Sequence, residues 1–209
     1  MSDPKCKLCR RAGEKLFLKG EKCFTHKCIF EKRPTPPGKP ESQKKHRSPV
    51  SEYGVQLREK QKVKNTYGVG ERQFVNYIKE ASSTPGVDPS EMLFEVLETR
   101  LDNIVFRMGL ALSHAGARQM VTHGHITVNG RRVDIPSYKV KIGDVLGIRE
   151  GSKSKSLFIN ASEKTKARST PEWISFDSSS LEGKLSAKPK LDKVHMPYDL
   201  TSVIEFYSR

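Results

Sequence analysis

The chain has 209 residues, of which 35% are hydrophobic, and its 38 lysines and arginines outnumber its 24 acidic residues to give a net charge of +14. This length predicts one or two small domains. No apolar run approaches the roughly 20 residues that a membrane span needs, and the N-terminus lacks the apolar stretch of a signal peptide. We therefore expect neither a membrane protein nor a secreted one.

The positive charge is concentrated in the first quarter of the chain. Residues 1–50 hold 14 basic and five acidic residues, a net charge of +9, whereas the remaining 159 residues carry only +5. A basic arm joined to a nearly neutral body is typical of proteins that bind a polyanion. Solubility alone does not require such a concentration of charge, so the pattern indicates a nucleic acid partner.

All four cysteines lie in this arm, in two pairs with the spacing of metal ligands. Cys6 and Cys9 form a C-x2-C pair, and after a gap of 13 residues Cys23 and Cys28 form a C-x4-C pair. Four thiolates can complete a tetrahedral, structural Zn²⁺ site, and the metal would stabilise an arm with few apolar residues. Disulfides do not fit a chain without an export signal, and a catalytic C-x2-C lacks its thioredoxin-like context. Replacement of Cys23 or Cys28 by His26 as a ligand stays an alternative.

Residues 33–49 form a predicted linker between the arm and the body. Five prolines in these 17 residues, with basic residues between them, prevent regular structure. The segment could be a simple spacer. Its cluster of Lys44, Lys45 and Arg47 instead favours contact with RNA phosphates.

Three helices are predicted after the linker. Ser51 is a suitable N-cap for a polar helix to about residue 66, a second helix covers residues 71–82, and Asp88 caps a third. Apolar residues then recur at helical spacing as far as Met108 and predict core positions. The predicted RNA contacts in this part of the chain are Arg58, Lys62 and Arg72.

A helix pair and a small antiparallel sheet are predicted over residues 98–150. One helix ends at Gly109, Ser113 caps the next, and Gly124 closes it. A hairpin follows, because Asn129-Gly130 is a strong signal for a tight turn between strands. The predicted strands are residues 125–128, 131–133 and 145–148.

Basic side chains converge at the end of this helix and just after the hairpin turn. Folded RNA is commonly recognised through its shape and backbone, which a rigid basic surface can match. Isolated surface charges would serve solubility, whereas a cluster favours RNA. The predicted contacts are Arg118, His123, His125, Arg131 and Arg132.

Several segments resemble the bacterial small-subunit ribosomal protein S-four family. Residues 100–103, 117–119 and 123–130 look like its S-four RNA-binding module, which also occurs in tyrosyl-tRNA synthetases and pseudouridine synthases. The likeness continues outside the module and is weakest over residues 151–198. It includes the four-cysteine arm, residues 51–62, 67–68, 71–74 and 204–209.

The resemblance implies an α+β fold in three parts. Residues 1–47 would be a basic arm with a zinc site and a proline-rich linker. Residues 48–97, completed by residues 185–209, would form a mainly helical domain. Residues 98–184 would form the S-four RNA-binding domain, with two helices and a small antiparallel sheet.

It also implies a non-enzymatic, structural constituent of the small ribosomal subunit in the cytoplasm. Such a protein is a primary binder of 16S ribosomal RNA and nucleates subunit assembly. In the family, the basic residues before the Ser51 helix lie near the path by which messenger RNA enters, beside ribosomal proteins S-three and S-five. The interface with S-five contributes to translational accuracy. No membrane and no small-molecule substrate are expected.

Two features depart from the family. Its members often carry Arg where this chain has His114, which predicts a weaker or pH-sensitive phosphate contact. Many members also lack some or all of the cysteines, so the zinc prediction rests on the spacing in this chain.

Two other classes compete with a structural RNA binder. An RNA-modifying enzyme would need a separate catalytic domain of roughly 150 residues, whereas 59 residues follow Glu150. The acid in the module's motif, Asp102, is expected to make structural hydrogen bonds. A zinc-dependent transcription regulator would need a helix that reads a DNA groove, of which the sequence gives no sign. In the C-terminal stretch, residues 173–176 and 203–206 are predicted to be strands.

Overall fold

The computed structural model describes residues 4–38, 49–159, 165, 170–192, 196 and 198–208. The chain divides into two units, one made of Met1–Ser90 with Asp192–Arg209 and the other of Glu91–Leu191. The first unit holds the cysteine arm and the helical part. The second holds the helices and the sheet that are predicted to bind RNA, so the fold is a mixture of helices and a small antiparallel sheet.

The secondary structure of the described residues is as follows. The helices are α1 Lys5–Ala12, α2 Ile29–Lys32, α3 Glu52–Tyr67, α4 Glu71–Ser83, α5 Pro89–Glu98, α6 Leu101–Arg107, α7 His114–Thr122, α8 Glu150–Lys153 and α9 Leu200–Tyr207, with a 3-10 turn at Gly20–Cys23. The strands are β1 Ile126–Val128, β2 Arg131–Arg132, β3 Val145–Ile148, β4 Ile174–Asp177 and β5 Glu182–Leu185.

The helices α3, α4 and α5 confirm the sequence prediction, and two of them begin at the predicted caps. The hydroxyl of Ser51 accepts a hydrogen bond of 3.3 Å from the amide of Gly54. The carboxylate of Asp88 accepts one of 2.9 Å from the amide of Ser90. These bonds satisfy amides that a helix start otherwise leaves without partners.

The C-terminal segment is helical, so the prediction of a strand over residues 203–206 is wrong. Asp199 accepts a hydrogen bond of 2.9 Å from the amide of Thr201 and caps α9. Leu200 and Val203 are both buried, and residues three apart share one face of a helix. A short apolar run is compatible with either a helix or a strand. Here the packing of α9 against α3 favours the helix.

Five antiparallel strands form the sheet of the second unit, in the order β2-β1-β3-β5-β4. In the register of the central pairs, Thr127 of β1 lies opposite Arg132 of β2 and opposite Gly147 of β3. The strand predicted over residues 173–176 is confirmed as the edge strand β4. The strand β5, which the sequence reading missed, joins β4 to β3.

The apolar stripe that ends at Met108 forms two helices, because the chain is extended at Arg100. This residue has ψ of 139° and pairs with Lys139 in an isolated bridge. The amide of Leu101 donates a hydrogen bond of 2.9 Å to the carbonyl of Tyr138. The start of α6 is thereby tied to the segment that leads into β3, and α6 and α7 share one buried core with the sheet.

Candidate RNA interface

Helix α7 holds Arg118 on a rigid support. The hydroxyl of Ser113 accepts a hydrogen bond of 3.2 Å from the amide of Gly116, as the sequence predicts. Ala117 and Val121 are fully buried and fix this helix in the core. Arg118 follows directly after Ala117 and is half-buried, so its aliphatic stem is restrained by the packed helix.

The hairpin turn places two further arginines on the surface. Asn129 and Gly130 both have positive φ, 49° and 76°, as a two-residue turn of type I′ requires. The side-chain amide of Asn129 donates a hydrogen bond of 2.9 Å to Asp144, which ties the turn to the residue before β3. Arg131 and Arg132, which follow this turn as β2, are both exposed.

Arg132 lies over the glycine that ends α7. A Cβ on Gly124 would come within 2.1 Å of Arg132 Nε, and the φ of +69° at this glycine is one that L side chains rarely adopt. The carbonyl end of a helix also favours a nearby cation. The ion pair between Arg132 and Asp134 is long, at 3.9 Å, and 51% of the arginine side chain is exposed. The guanidinium is therefore accessible to a phosphate.

The two predicted histidines occupy different environments. His123 is exposed, whereas only 9% of His125 is. The Nδ1 atom of His125 is 3.0 Å from the hydroxyl of Ser152, and its ring contacts that of Phe158 edge to face. His125 is therefore less accessible to RNA than the sequence predicts. Its ring packs against Ser152 and Phe158 instead.

Burial lowers the pKa of His125, and neighbouring cations lower it further. These cations include Lys155, Arg149 and Arg132. Arg149 and Lys155 are both exposed and did not figure among the predicted contacts. They follow β3 and flank α8, and their only sequence signal is a position just after a strand. The positive surface is thus larger than the predicted cluster.

The basic residues of the first unit differ in their exposure and in their ion pairs. Arg58 on α3 and Arg72 on α4 are exposed. Lys62 forms ion pairs of 2.9 Å with Glu14 and 2.7 Å with Glu59, and 11% of its side chain is exposed. An RNA contact by Lys62 would have to share or displace these carboxylates. Lys44, Lys45 and Arg47 lie outside the described residues.

Glu98 and Asp102, at the start of the predicted RNA-binding part, are buried and paired with arginines. Arg100 is 2% exposed and donates to both carboxylate oxygens of Asp102, at 3.0 and 2.7 Å. Arg107 donates in the same way to Glu98, at 2.9 and 2.6 Å, and Asn103 donates a third bond to that carboxylate. The structural role predicted for Asp102 is confirmed. Residues 100–103 of the motif thus hold α6 and its surroundings together.

Comparison with known proteins agrees with this architecture. Residues 1–98 match the family described as the ribosomal protein S4/S9 N-terminal domain, and residues 99–146 match the S4 domain. Small ribosomal subunit protein uS4 of Thermus thermophilus is 50% identical over 206 residues, which are 99% of this chain and 97% of the relative. The chain belongs to the uS4 family. The uS4 proteins of Caldicellulosiruptor saccharolyticus and Thermotoga petrophila are each 48% identical, over 99% of this chain and 97% of the relative.

The environment of His114 in this uS4 family member argues against a pH-sensitive contact near neutrality. Its ring lies against that of Phe106, with centroids 4.0 Å apart. Burial, with the charges of Arg107 and Arg100 adding to it and that of Glu98 opposing it, lowers the pKa of His114 to about 4. The imidazole is therefore neutral at physiological pH and packs as an aromatic ring.

The four cysteines of this uS4 family member lie on neighbouring elements of the arm. Cys6 and Cys9 are on α1, Cys23 ends the 3-10 turn, and Cys28 precedes α2. Cys9, Cys23 and Cys28 are at most 9% exposed, whereas His26 is exposed. Burial and the other three thiols raise the pKa of Cys9, against a backbone hydrogen bond from Leu16.

The chemistry of these thiols fits Zn²⁺, which accepts four sulfur ligands. Their side chains are nevertheless not closed around a common point, since no group of three or more His, Cys, Asp or Glu residues in the described part of the chain is arranged to hold a metal ion.

None of the described helices is long and apolar enough to cross a membrane.

Proposed function

We propose that this protein is a structural constituent of the small ribosomal subunit in the cytoplasm, where it binds 16S ribosomal RNA. The observation that carries the proposal is the basic surface at the end of α7 and the start of β2. Arg118 lies on a packed helix, and Arg131 and Arg132 follow a hairpin turn that Asn129 ties to Asp144. The relatives that match along nearly the full chain are small ribosomal subunit proteins.

The geometry suits an RNA backbone better than a base edge. The hairpin presents the exposed guanidinium groups of Arg131 and Arg132, and guanidinium groups pair with phosphates in two-point geometry. Arg149 and Lys155 extend this surface beyond the hairpin. Recognition of folded RNA by shape and phosphate position needs such a surface and does not need a deep pocket.

An RNA-modifying enzyme is the weaker alternative. General acid–base catalysis requires a carboxylate or imidazole that can exchange protons with a substrate. Asp102 and Glu98 are instead held by arginines in buried pairs. The uS4 family consists of structural proteins, so the module here serves attachment and not turnover.

The protein would act early in the assembly of the subunit, as a primary RNA binder that nucleates folding of the RNA. Its further partners would be ribosomal proteins S-five and S-three, with messenger RNA near the basic segment of Lys44, Lys45 and Arg47. Through S-five it would contribute to translational accuracy. These partners follow from the resemblance to the family, and the strong positive charge of residues 1–50 supports a nucleic acid near the arm.

One structural Zn²⁺ ion would be held by Cys6, Cys9, Cys23 and Cys28. The support is the paired spacing of the cysteines, the burial of three of them, and the small apolar cluster of the arm, in which Cys9 packs with Leu16 and Leu18. Such a cluster is too small to fold the arm by itself, so metal binding would supply part of the folding free energy. Four thiolate ligands leave no open position, so the ion would not be catalytic.

Co-sedimentation tests the proposal. The endogenous protein is followed on a sucrose gradient after a high-salt wash, and we expect stoichiometric retention with free small subunits. A tagged variant with Arg131→Ala and Arg132→Ala should be retained less well at the same salt concentration. Release of the wild-type protein to the top of the gradient would contradict a core ribosomal role. It would favour the alternative of an RNA-modifying enzyme.

A further inference from the structure

Two phenylalanine rings are stacked on the surface of the cysteine arm. The centroids of Phe17 and Phe24 are 4.8 Å apart, and the ring planes are inclined by 25°. Phe17 is 43% exposed and Phe24 is 70% exposed. An aromatic pair that contacts itself and still faces water is a candidate contact surface, because single exposed apolar residues are common but paired rings in solvent are not.

The local fold holds this pair outward. Leu16 and Leu18 are both buried in the small core of the arm, so Phe17 between them points away from it. The backbone at Phe17 has φ of 50°, which is uncommon for a bulky residue. Strain of this kind persists where the surroundings impose it, and it concentrates at functional sites. Phe24 follows the 3-10 turn, and its amide donates a hydrogen bond of 3.0 Å to the carbonyl of Glu21.

The charges around the pair are mainly positive. Residues 15–27 contain four lysines and one glutamate, and Lys19, Lys22 and Lys27 are exposed. Lys15 is engaged elsewhere, in an ion pair with Glu31. Aromatic rings interleaved with free lysines are the combination that binds single-stranded nucleic acid, in which the rings stack on bases and the cations contact phosphates.

We propose that the outer face of Phe24, supported from behind by Phe17, stacks on an unpaired base of the ribosomal RNA. The inference rests on the proposed function, since it names the part of the RNA that the arm recognises. Neighbouring lysines contact the phosphates on either side of that base. A protein partner fits the surface less well, because the cores of protein interfaces are depleted in lysine.

Ring removal with matched variants tests the proposal. Phe24→Leu keeps apolar bulk and removes the π-face, whereas Phe24→Tyr keeps the ring. With a 16S ribosomal RNA transcript and the full-length protein, Phe24→Leu should raise the Kd about tenfold or more, and Phe24→Tyr should stay within about twofold. The dependence of Kd on salt should not change, because stacking releases no counterions. Equal affinity of Phe24→Leu and the wild type would overturn the proposal.

A fluorescence measurement separates stacking from damage to the arm. In a Trp173→Phe background, Phe24→Trp places the sole tryptophan of the chain at the outer position of the aromatic pair. RNA should quench its emission in the bound complex, and an unquenched tryptophan in a saturated complex would overturn the proposal even if Phe24→Leu unfolds. If the wild-type protein itself fails to bind the transcript, the proposed function fails instead, which is a distinguishable result.

Discussion

The guanidinium of Arg132 lies directly over Gly124, so that a Cβ on the glycine would meet Arg132 Nε at 2.1 Å. A side chain at residue 124 would therefore displace the guanidinium from this position. The glycine also adopts φ of +69°, which costs any other residue roughly 1 kcal/mol. One residue thus controls both the end of α7 and the position of the Arg132 guanidinium.

Gly124→Ala should lower both stability and RNA affinity. We expect a loss of about 1 kcal/mol in the free energy of unfolding from backbone strain, and a Kd for 16S ribosomal RNA close to that of Arg132→Ala, because the new methyl group displaces the guanidinium. Urea unfolding and a filter-binding assay measure the two effects. Gly130→Ala is the control, since this glycine also has positive φ but a Cβ added there would meet no atom within 4 Å. It should cost stability without a comparable loss of affinity.

Replacement of both Arg118 and Arg132 by Ala should weaken RNA binding and flatten its dependence on salt. If each guanidinium neutralises one phosphate, the slope of log K against log salt should fall by up to about two phosphate-equivalents, each near 0.9 or less. Lys188→Ala is a control, because this lysine pairs with Glu95 at 3.1 Å. An unaltered slope in the double variant would show that these arginines face solvent in the complex.

Asp102→Ala should destabilise the second unit severely, because it removes the carboxylate that pairs with the buried charge of Arg100. Breaking a buried ion pair from one side costs about 3–5 kcal/mol. Asp134→Ala removes the partner of Arg132, where both side chains are more than half exposed, and should cost less than about 0.5 kcal/mol. Thermal unfolding of both variants tests this difference. Similar losses would mean that the Arg100–Asp102 pair does not act as a buried one.

Local signals in the sequence were sufficient for the helix caps and the hairpin. Ser51, Asp88 and Ser113 cap helices as predicted, and Asn129-Gly130 forms the predicted turn, because each of these interactions spans only a few residues. The basic cluster at the hairpin could be located for the same reason, since Arg131 and Arg132 follow the turn directly.

The features that could not be predicted from the sequence depend on tertiary contacts. The run that includes Val203 alternates like a strand, yet it is helical because it packs on α3. Arg100 sits within a helical stripe, yet it is extended because its neighbours bond to the segment at Tyr138. His125 looks like a surface residue, yet Ser152 and Phe158, distant in sequence, cover it. No local pattern encodes such partners.

Cys9→Ser should release the proposed Zn²⁺ ion and loosen the arm while residues 98–150 stay folded. The reason is that a four-thiolate site cannot be closed with three sulfur ligands and a hydroxyl of much lower metal affinity. Zinc content per chain is measured by atomic emission, and protease sensitivity reports the state of the arm. His26→Ala is the control and should keep its zinc, since the imidazole is exposed. If His26→Ala loses its zinc while Cys9→Ser keeps it, the four-thiolate assignment is wrong and His26 is a ligand.

His114 should make the stability of the second unit depend on pH between about 6.5 and 4. Its pKa is lowered from 6.5 to about 4 in the folded state, so the unfolded chain binds a proton in this interval that the folded chain does not. Stability therefore falls as the pH falls from about 6.5 towards 4 and levels off below that, by at most about 3 kcal/mol in total. His114→Gln cannot titrate, so the difference between the wild type and this variant isolates the effect from other histidines. Urea unfolding at pH 7.5, 6.0 and 5.0 should show the wild type losing stability faster than the variant, and parallel profiles would mean that the folded imidazole accepts protons as readily as the unfolded one.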